Sequence, residues 1–364
     1  MKPNPDRRGS PCASSLFLGL ETSCDETSVA AIRGDGSIVE NLVSSQVAAH
    51  APFGGVVPEI AARAHLQNLP SLLERVAERL GGDFHEVSAV AATAGPGLVG
   101  ALLVGLHAGE GLAAGLGVPF FPVNHLEGHL YSPFLEAGGG ALREISFPFL
   151  GVVVSGGHSA IYRVDEGFRI SRLARTRDDA AGEAFDKIGK RCGLGYPGGP
   201  SVDRLAATGD PKRFDLPRPR FSDGSLDFSF SGLKSAVLRH LEKLGWPDPP
   251  PPHSVGAPPP REIVDLLAGF QEAIVDSIEW RLDETVRQTN PRTIAVSGGV
   301  AANGGLRRRL QGWSAKKGIP VLFPEGILAG DNAAMIALAG ALRYHRGVPP
   351  GPARAMSRWD PAAP

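Results

Sequence analysis

The chain has 364 residues, 42% hydrophobic and 21% charged, with 37 Lys and Arg against 38 Asp and Glu. That length favours two domains over one minimal core, and the near-zero net charge excludes a protein that grips nucleic acid through a global basic excess. Its three cysteines, Cys12, Cys24 and Cys192, form no CxxC pair, which excludes a disulfide framework or a zinc knuckle and points to a reducing, cytoplasmic setting.

Residues 1–15 are polar and proline-bearing, with Arg7 and Arg8, and read as a disordered extension. The apolar run after them, 16–20, is too short for a secretion signal and leads straight into Glu21. Residues 17–20, 28–33 and 38–47 read as three strands, the last two split by the hairpin turn Gly34-Asp35-Gly36. Apolar spacing predicts a helix over 58–80, a buried strand over 87–93, a helix over 97–116 and a strand over 119–123. The stretch 98–118 is long and apolar but contains His107, Glu110 and many glycines, so it reads as a packed helix and not a membrane span. A second, similar order follows: strands over 149–155, 160–164 and 168–175, then helices over 181–193, 201–207 and 232–244. A strand over 293–297, a helix over 303–317, a strand over 321–323 and a helix over 331–346 complete it. Two successive units of this kind predict a duplicated two-lobe α/β fold with a ligand cleft between the lobes. The lobes are expected at 16–130 and 131–330, with the helix over 331–346 packing near their junction. Residues 246–260, dense in proline, read as an insertion joining two helices.

Within this frame, Asn124-His125-Leu126-Glu127-Gly128-His129 places two imidazoles one helical turn apart on one face, a spacing that can grip a divalent cation. Two histidines under-ligate a metal, and the best distant candidate for a third ligand is Asp331, in Gly330-Asp331-Asn332. Those three are expected to close on the ion across the cleft between lobes. Two imidazoles, one carboxylate and open positions suit Fe2+, with Zn2+ as the alternative. The same spacing alone also fits a pair of partly exposed helix histidines, so the companion motifs carry the assignment.

Four segments join glycine to small polar residues directly after strands: Ala94-Gly95-Pro96-Gly97, Ser155-Gly156-Gly157-His158, Tyr196-Pro197-Gly198-Gly199-Pro200 and Ser297-Gly298-Gly299-Val300. Such loops let backbone amides approach a phosphate or nucleoside, and a following helix N-terminus favours an anion. None has P-loop or GxGxxG spacing, which sets aside classical NTPases and dinucleotide enzymes. Asp178 and Asp179 open a helix where its dipole favours acids. Asp186 can accept from ribose hydroxyls, and the Asn303 amide can bond a purine or ribose. Arg307-Arg308-Arg309 with Lys316-Lys317, and Lys187, Lys190 and Arg191, are the local basic clusters available for a nucleic acid.

Taken together, these motifs resemble the tRNA threonylcarbamoyladenosine-synthesis transferase family, which once carried the name O-sialoglycoprotein endopeptidase. The resemblance rests on Leu18-Gly19-Leu20-Glu21-Thr22-Ser23-Cys24-Asp25-Glu26-Thr27-Ser28, Gly54-Gly55-Val56-Val57-Pro58-Glu59 and the His125/His129 helix. It continues through Ser155-Gly156-Gly157-His158, residues 178–187, Phe230-Ser231-Gly232-Leu233-Lys234, residues 297–303 and residues 330–335. It spans about residues 16–345 and implies an actin/Hsp70/sugar-kinase-like (ribonuclease H-like) fold. It implies transfer of threonylcarbamoyl from threonylcarbamoyl-AMP to N6 of adenosine 37 in tRNAs reading ANN codons. By motif match it implies His125, His129 and Asp331 as ligands of one divalent metal ion. Val153, Val154, Ser155, Gly156, Gly157, Asp186, Gly199, Asp203 and Asn303 would hold the donor. Its implied partners are tRNA, a degenerate paralogue of this chain, a small P-loop ATPase and a separate donor-making synthase. Gly304-Gly305 after Asn303, where larger residues are usual, departs from the pattern.

Rival readings make opposite demands. A zincin-type metallopeptidase needs a base beside its first histidine, yet Leu126 follows His125, and Glu127 lies about 200° round the helix. A non-catalytic scaffold paralogue should lack the three metal residues. A sugar-kinase-like ATPase would rest on fold alone.

Overall fold

The computed structural model describes residues 14–251 and 259–363, so 1–13 of the expected extension and 252–258 of the expected insertion lie outside the described residues. The chain divides into two compact units, one built from residues 1–145 and 324–364 and the other from 146–323. The division thus falls at 145/146, where the sequence places it at 130, and the chain returns to the first unit at 324 instead of ending its second lobe at 330.

In the first unit β1 (Leu16–Glu21), β2 (Glu26–Arg33), β3 (Ile38–Ser45), β4 (Val87–Gly95) and β5 (Phe120–Asn124) form one sheet in the order β3-β2-β1-β4-β5. β1 runs antiparallel to β2 and parallel to β4. As the central strand it is covered on both faces, so all six of its residues are buried and its sequence shows no polar alternation until Glu21. The β2–β3 hairpin turns at Gly36, whose φ of +84° suits glycine.

Between β3 and β4 lie one turn of helix, α1 (Val47–His50), and the long α2 (Pro58–Arg79). α3 (Val99–Leu116) crosses from β4 to β5, and α4 (His125–Tyr131) follows β5 directly. The even residues of β1, Leu16, Leu18 and Leu20, join Leu69, Leu72 and Val76 of α2 and Leu106 and Ala113 of α3 in one core. Its odd residues face the C-terminal helix. Phe17 meets the Tyr344 ring edge-on at 5.4 Å, and a Cβ on Gly19 would lie 2.3 Å from the Ala333 carbonyl oxygen. That helix, the tenth, starts at Ala333 with Asn332 as its cap, and nine consecutive residues, Ala333 to Ala341, are buried. It belongs to the centre of the first unit, where the sequence places it near a junction.

The second unit repeats the plan. β6 (Phe149–Val154), β7 (Ser159–Asp165), β8 (Arg169–Arg175), β9 (Thr293–Ser297) and β10 (Val321–Leu322) lie in the order β10-β9-β6-β7-β8. Its central strand is again antiparallel to the next and parallel to the later one. Its helices are α5 (Ala181–Arg191), α6 (Gly199–Ala206), α7 (Ser231–Lys243), α8 (Arg261–Thr289) and α9 (Gly304–Lys317), and α10 (Ala333–His345) is the C-terminal helix of the first unit. α8 is buried almost all round its first five turns, so no amphipathic stripe announces it in the sequence.

The close seat of α10 on β1 is testable. Gly19→Ala should cost about 1–3 kcal/mol through overpacking. Urea unfolding reads the loss, and an unchanged midpoint would contradict the packing described.

Candidate active site

α4 begins where β5 ends because Asn124 caps it, its Oδ1 accepting from the backbone of Leu126 at 2.9 Å and of Glu127 at 3.3 Å. One helical turn then stacks His125 and His129 edge to face, with ring centroids 4.7 Å apart. Gly128 lets this helix approach α10, since a Cβ there would lie 2.9 Å from Ile336 Cδ1. The approach brings in Asp331, two residues ahead of α10. Its Oδ1 lies 3.0 Å from His129 Nε2 and 3.5 Å from His125 Nε2. One donor atom from each of the three falls within 4.8 Å of the others. All three sequence-predicted ligands therefore meet. They do so wholly within the first unit, not across the two lobes as the sequence reading has it, because residues 324–364 return there.

Sequence reasoning assigned no role to Glu21, the residue that orients this cluster. Its Oε2 is 2.9 Å from His125 Nδ1 and accepts from Thr93 Oγ1 at 2.6 Å, while its Oε1 accepts from the Ser23 backbone at 2.5 Å. Glu21 is the first polar residue of an otherwise apolar strand, which is the signal that could have found it. The Glu21 bond gives His125 an N–H at Nδ1 and turns Nε2 toward Asp331, the carboxylate–imidazole arrangement that orients metal-binding histidines.

Charge follows the same line. Burial opposes ionisation of His125, but Asp331 and Glu21 outweigh it and raise this imidazole well above its usual value. Burial likewise pushes Asp331 upward, and His125 followed by His129 overcomes it, holding the carboxyl well below the carboxylate range. Glu21 is lowered too, against its burial, by His125. The cluster is thus a pair of carboxylates, Glu21 buried and Asp331 partly exposed, that demands a cation between them. An imidazolium proton supplies it here, and a divalent ion on the same three donors would supply it equally well. His129 Nδ1 is buried without a hydrogen-bond partner, so Nε2, facing Asp331, is this ring's working nitrogen. The donor set fits a metal. Asp331 keeps 23% side-chain exposure, which leaves the cluster reachable.

The loop after β1 is pinned by another buried histidine. His65 donates from Nε2 to the Cys24 carbonyl at 2.9 Å and accepts at Nδ1 from Thr27 Oγ1 at 2.8 Å. Burial, followed by Asp25, drives the Cys24 thiol far up, so it is no nucleophile at neutral pH. Burial and then Asp331 push Glu26 up to about 9, which keeps that carboxyl protonated at pH 7.

The remaining predicted site residues lie in the second unit. Val153 pairs with Ser297, so the loops after β6 and β9 adjoin, and a Cβ on Gly298 would lie 2.5 Å from the Val154 carbonyl oxygen. Ser155-Gly156-Gly157-His158 is a tight turn, with the Ser155 amide donating to the His158 carbonyl at 2.7 Å. It sits on the start of α5, where the Gly182 amide donates to the Ser155 carbonyl at 3.1 Å. Cβ atoms on Gly156, Gly157 and Gly299 would meet nothing within 4 Å. The fold has no steric need for glycine at these three places, and their backbone stays accessible.

The three polar residues expected to touch a nucleoside each hold backbone. Asp186 Oδ1 accepts from Gly198 at 2.8 Å and Gly199 at 3.4 Å. Asp203 accepts from Gly304 at 2.8 Å and Gly305 at 3.4 Å. Asn303 caps α9 through Leu306 at 2.9 Å and donates to Gln271 at 2.8 Å. Gly304-Gly305, the departure noted above, supplies the amides that bind Asp203. Asp178 caps α7 through Phe230 and Ser231, not the helix it precedes, and Asp179 pairs with Lys187 and Lys234.

The basic clusters are largely neutralised. Arg309 pairs with Glu272, Asp276 and Glu279, Lys317 with Asp283, and Lys187 with Asp179 and Glu183. Arg191 donates to the carbonyls of Trp246 and Pro247, and Arg307 to that of Ala301. Arg308 and Lys316 remain without a carboxylate partner among the described residues, and both line a cavity of ≈ 480 Å³ with Trp313.

Two α/β units of identical strand order, one with a buried acid–histidine cluster and one with open glycine turns on helix N-termini, define an actin/Hsp70/sugar-kinase-like protein. Full-length HypF, solved in a phosphate- and nucleotide-bound form, shares the fold: TM-score 0.59 at 13% identity, over 94% of this chain and 57% of that one. The family model described as TsaD, tRNA N6-adenosine threonylcarbamoyltransferase, matches residues 37–338. A protein of that name from Pelobacter propionicus is 46% identical over 325 residues, 89% of this chain and 91% of the relative. One from Aromatoleum aromaticum is 45% identical over 345 residues, covering 94% and 96%. The chain belongs to the tRNA N6-adenosine threonylcarbamoyltransferase family. It is a transferase that modifies tRNA.

If Glu21 orients His125 for a metal, Glu21→Gln should weaken Zn2+ or Fe2+ binding by about 10–100-fold. Competition titration against a chromophoric chelator measures this, with circular dichroism to show an intact fold. Undiminished affinity would remove Glu21 from the site.

Proposed function

We propose that this chain moves the threonylcarbamoyl group of threonylcarbamoyl-AMP onto N6 of adenosine 37 in tRNAs reading ANN codons. In this reading one divalent ion, Fe2+ in preference to Zn2+, is held by His125, His129 and Asp331. The convergence of those three donors is the observation that carries it. An adenine exocyclic amine is a poor nucleophile because its lone pair delocalises into the ring, so the acyl group must arrive activated, as a mixed anhydride with AMP. The bound ion would serve as a Lewis acid for the donor's threonyl portion and acyl carbonyl.

The chain's own residues do the rest. Glu21 and Asp331 fix the two imidazoles, so no reorganisation is required when substrate binds. The open turn that Ser155 begins, with Val153 and Val154 behind it, offers the amides of Gly156 and Gly157 to the phosphate that gathers charge as AMP departs. The N-terminus of α5 adds favourable potential there. Asp186, Gly199, Asp203 and Asn303 shape the nucleoside side: their bonds fix the starts of α6 and α9 and so hold these residues in place for the adenylate.

A peptidase reading is disfavoured by Glu127. Its carboxylate is tied to Arg343 at 2.5 Å, so it is not available as a general base. A scaffold reading is disfavoured by the complete ligand set.

For partners, the neutral charge and paired basic clusters leave tRNA docking to be shared. α3 is long and apolar enough to cross a membrane, but residues of it are buried against the first core. Its outer side, with Val99 and Leu103 exposed beside Leu66 of α2, suits an apolar protein face better than a bilayer. The degenerate paralogue is the proposed occupant of that face, with the small P-loop ATPase completing a cytoplasmic assembly. Leu103→Glu should then abolish co-elution with the paralogue on size exclusion while leaving the melting temperature unchanged. Retained co-elution would move the interface elsewhere.

The central test is reconstitution with the donor-making synthase, partners, threonine, bicarbonate, ATP and unmodified tRNA, read by nucleoside mass spectrometry. His125→Ala and Asp331→Ala should lose the modified adenosine. Gly156→Val should lose it too while keeping full stability, since its side chain enters open space. Undiminished product in Gly156→Val would detach that turn from the donor.

A further inference from the structure

Beyond α10 the chain does not simply end. It runs back along the first unit past the ends of β5 and β4, outside the residues that the family model matches. The Gly351 amide donates to the Phe120 carbonyl at 3.4 Å, and the Ala353 amide to Glu110 Oε1 at 3.3 Å. The Met356 amide donates to the Ala94 carbonyl at 2.8 Å. Gly95 has φ +152°, and a Cβ there would stand 2.1 Å from the Met356 carbonyl oxygen, so only glycine admits the passing segment. Ala353, Ala355 and Trp359 pack onto the core beneath. Last, Asn124 Nδ2 donates to the Trp359 carbonyl at 3.0 Å.

That final bond joins the segment to the candidate cation site. Asn124 is one residue before His125, fully buried, and its two amide atoms do different work. The oxygen caps α4, and the nitrogen holds the tail. A side chain gripped at both ends has one orientation, and that orientation sets where α4 starts and hence where both imidazoles stand.

We propose that residues 351–359 are a positioning strap for the cation-binding helix, with Asn124 as its link. The proposal rests on the reading of His125, His129 and Asp331 as metal ligands. It does not make the strap catalytic, since no strap residue touches those side chains. It predicts that freeing the strap misorients the imidazoles while the sheet stays folded.

The test pairs two variants of the full chain, probed with Co2+, whose visible absorption reports ligand number and geometry. Asn124→Ser keeps a side-chain oxygen for the cap and removes the donor to Trp359. A chain stopped after Pro350 removes the strap outright. In Asn124→Ser, trypsin should cut faster after the exposed Arg354 and Arg358. Co2+ affinity should fall by about tenfold, the low end of what outer-shell changes cost, with a changed absorption envelope. The truncated chain should show the same spectral change, reversed by adding a peptide of residues 348–363. Should the truncated chain not fold, Asn124→Ser alone decides. Wild-type Co2+ affinity and spectrum in folded Asn124→Ser would overturn the strap and leave the ligand assignment standing. Absence of Co2+ binding by the unaltered chain would overturn both.

Discussion

Everything chemical in the first unit depends on one buried line of charge, Glu21–His125–Asp331. Glu21 is removed from water and Asp331 largely so; the two repel each other and lose hydration, so the arrangement is stable only with positive charge between them. The backbone commits to it at three element ends. Glu21 closes the central strand, His125 opens the helix after β5, and Asp331 precedes the helix that covers the other face. Removing His125 leaves two facing carboxylates without their cation, which is why the site and the packing of α10 on β1 are one structural problem. Gly19 and Gly128 solve its steric half by letting α10 lie against the strand and against α4.

The second unit has the same strand order, and among its described residues there is no such carboxylate–histidine cluster. Its equipment is backbone. The turn after β6 and the loop after β9 expose glycine amides, while Asp186, Asp203 and Asn303 are occupied in fixing helix starts. One duplicated architecture thus carries two different devices, a carboxylate–imidazole cluster that could hold a metal ion and glycine turns with open backbone, which we propose meets the phosphate. The division of labour agrees with a reaction in which an acyl group is polarised while a nucleotide leaves. It also explains the neutral composition, because neither device needs a basic surface.

Much of this was legible in the sequence, and the failures have physical causes. The order of elements and their repeat were readable because central strands such as 16–20 and 149–154 are apolar throughout and end in polar or glycine turns. The histidine pair was readable because helical spacing alone sets one face, and Asp331 because a capped helix follows it. Glu21 was missed because a single acid at a strand end has no periodicity to flag it. The common origin of all three ligands in one unit was missed because nothing local marks the return of the chain at 324. α8 was left unbounded because burial on all sides erases an amphipathic stripe. The backbone bonds of Asp186, Asp203 and Asn303 to the starts of α6 and α9 were not legible, because their amide partners lie on segments whose proximity only the fold sets. The pairing of Arg309 and Lys317 was hidden similarly, since their acidic partners sit thirty or more residues away.

The most direct measurement of the central claim is X-ray absorption spectroscopy on protein loaded with one equivalent of Fe2+ or Zn2+ under reducing conditions. The account predicts a nitrogen and oxygen shell with the multiple-scattering signature of two imidazoles, and loss of one imidazole in His129→Ala. A thiolate shell, or an oxygen-only shell unchanged by that substitution, would contradict it.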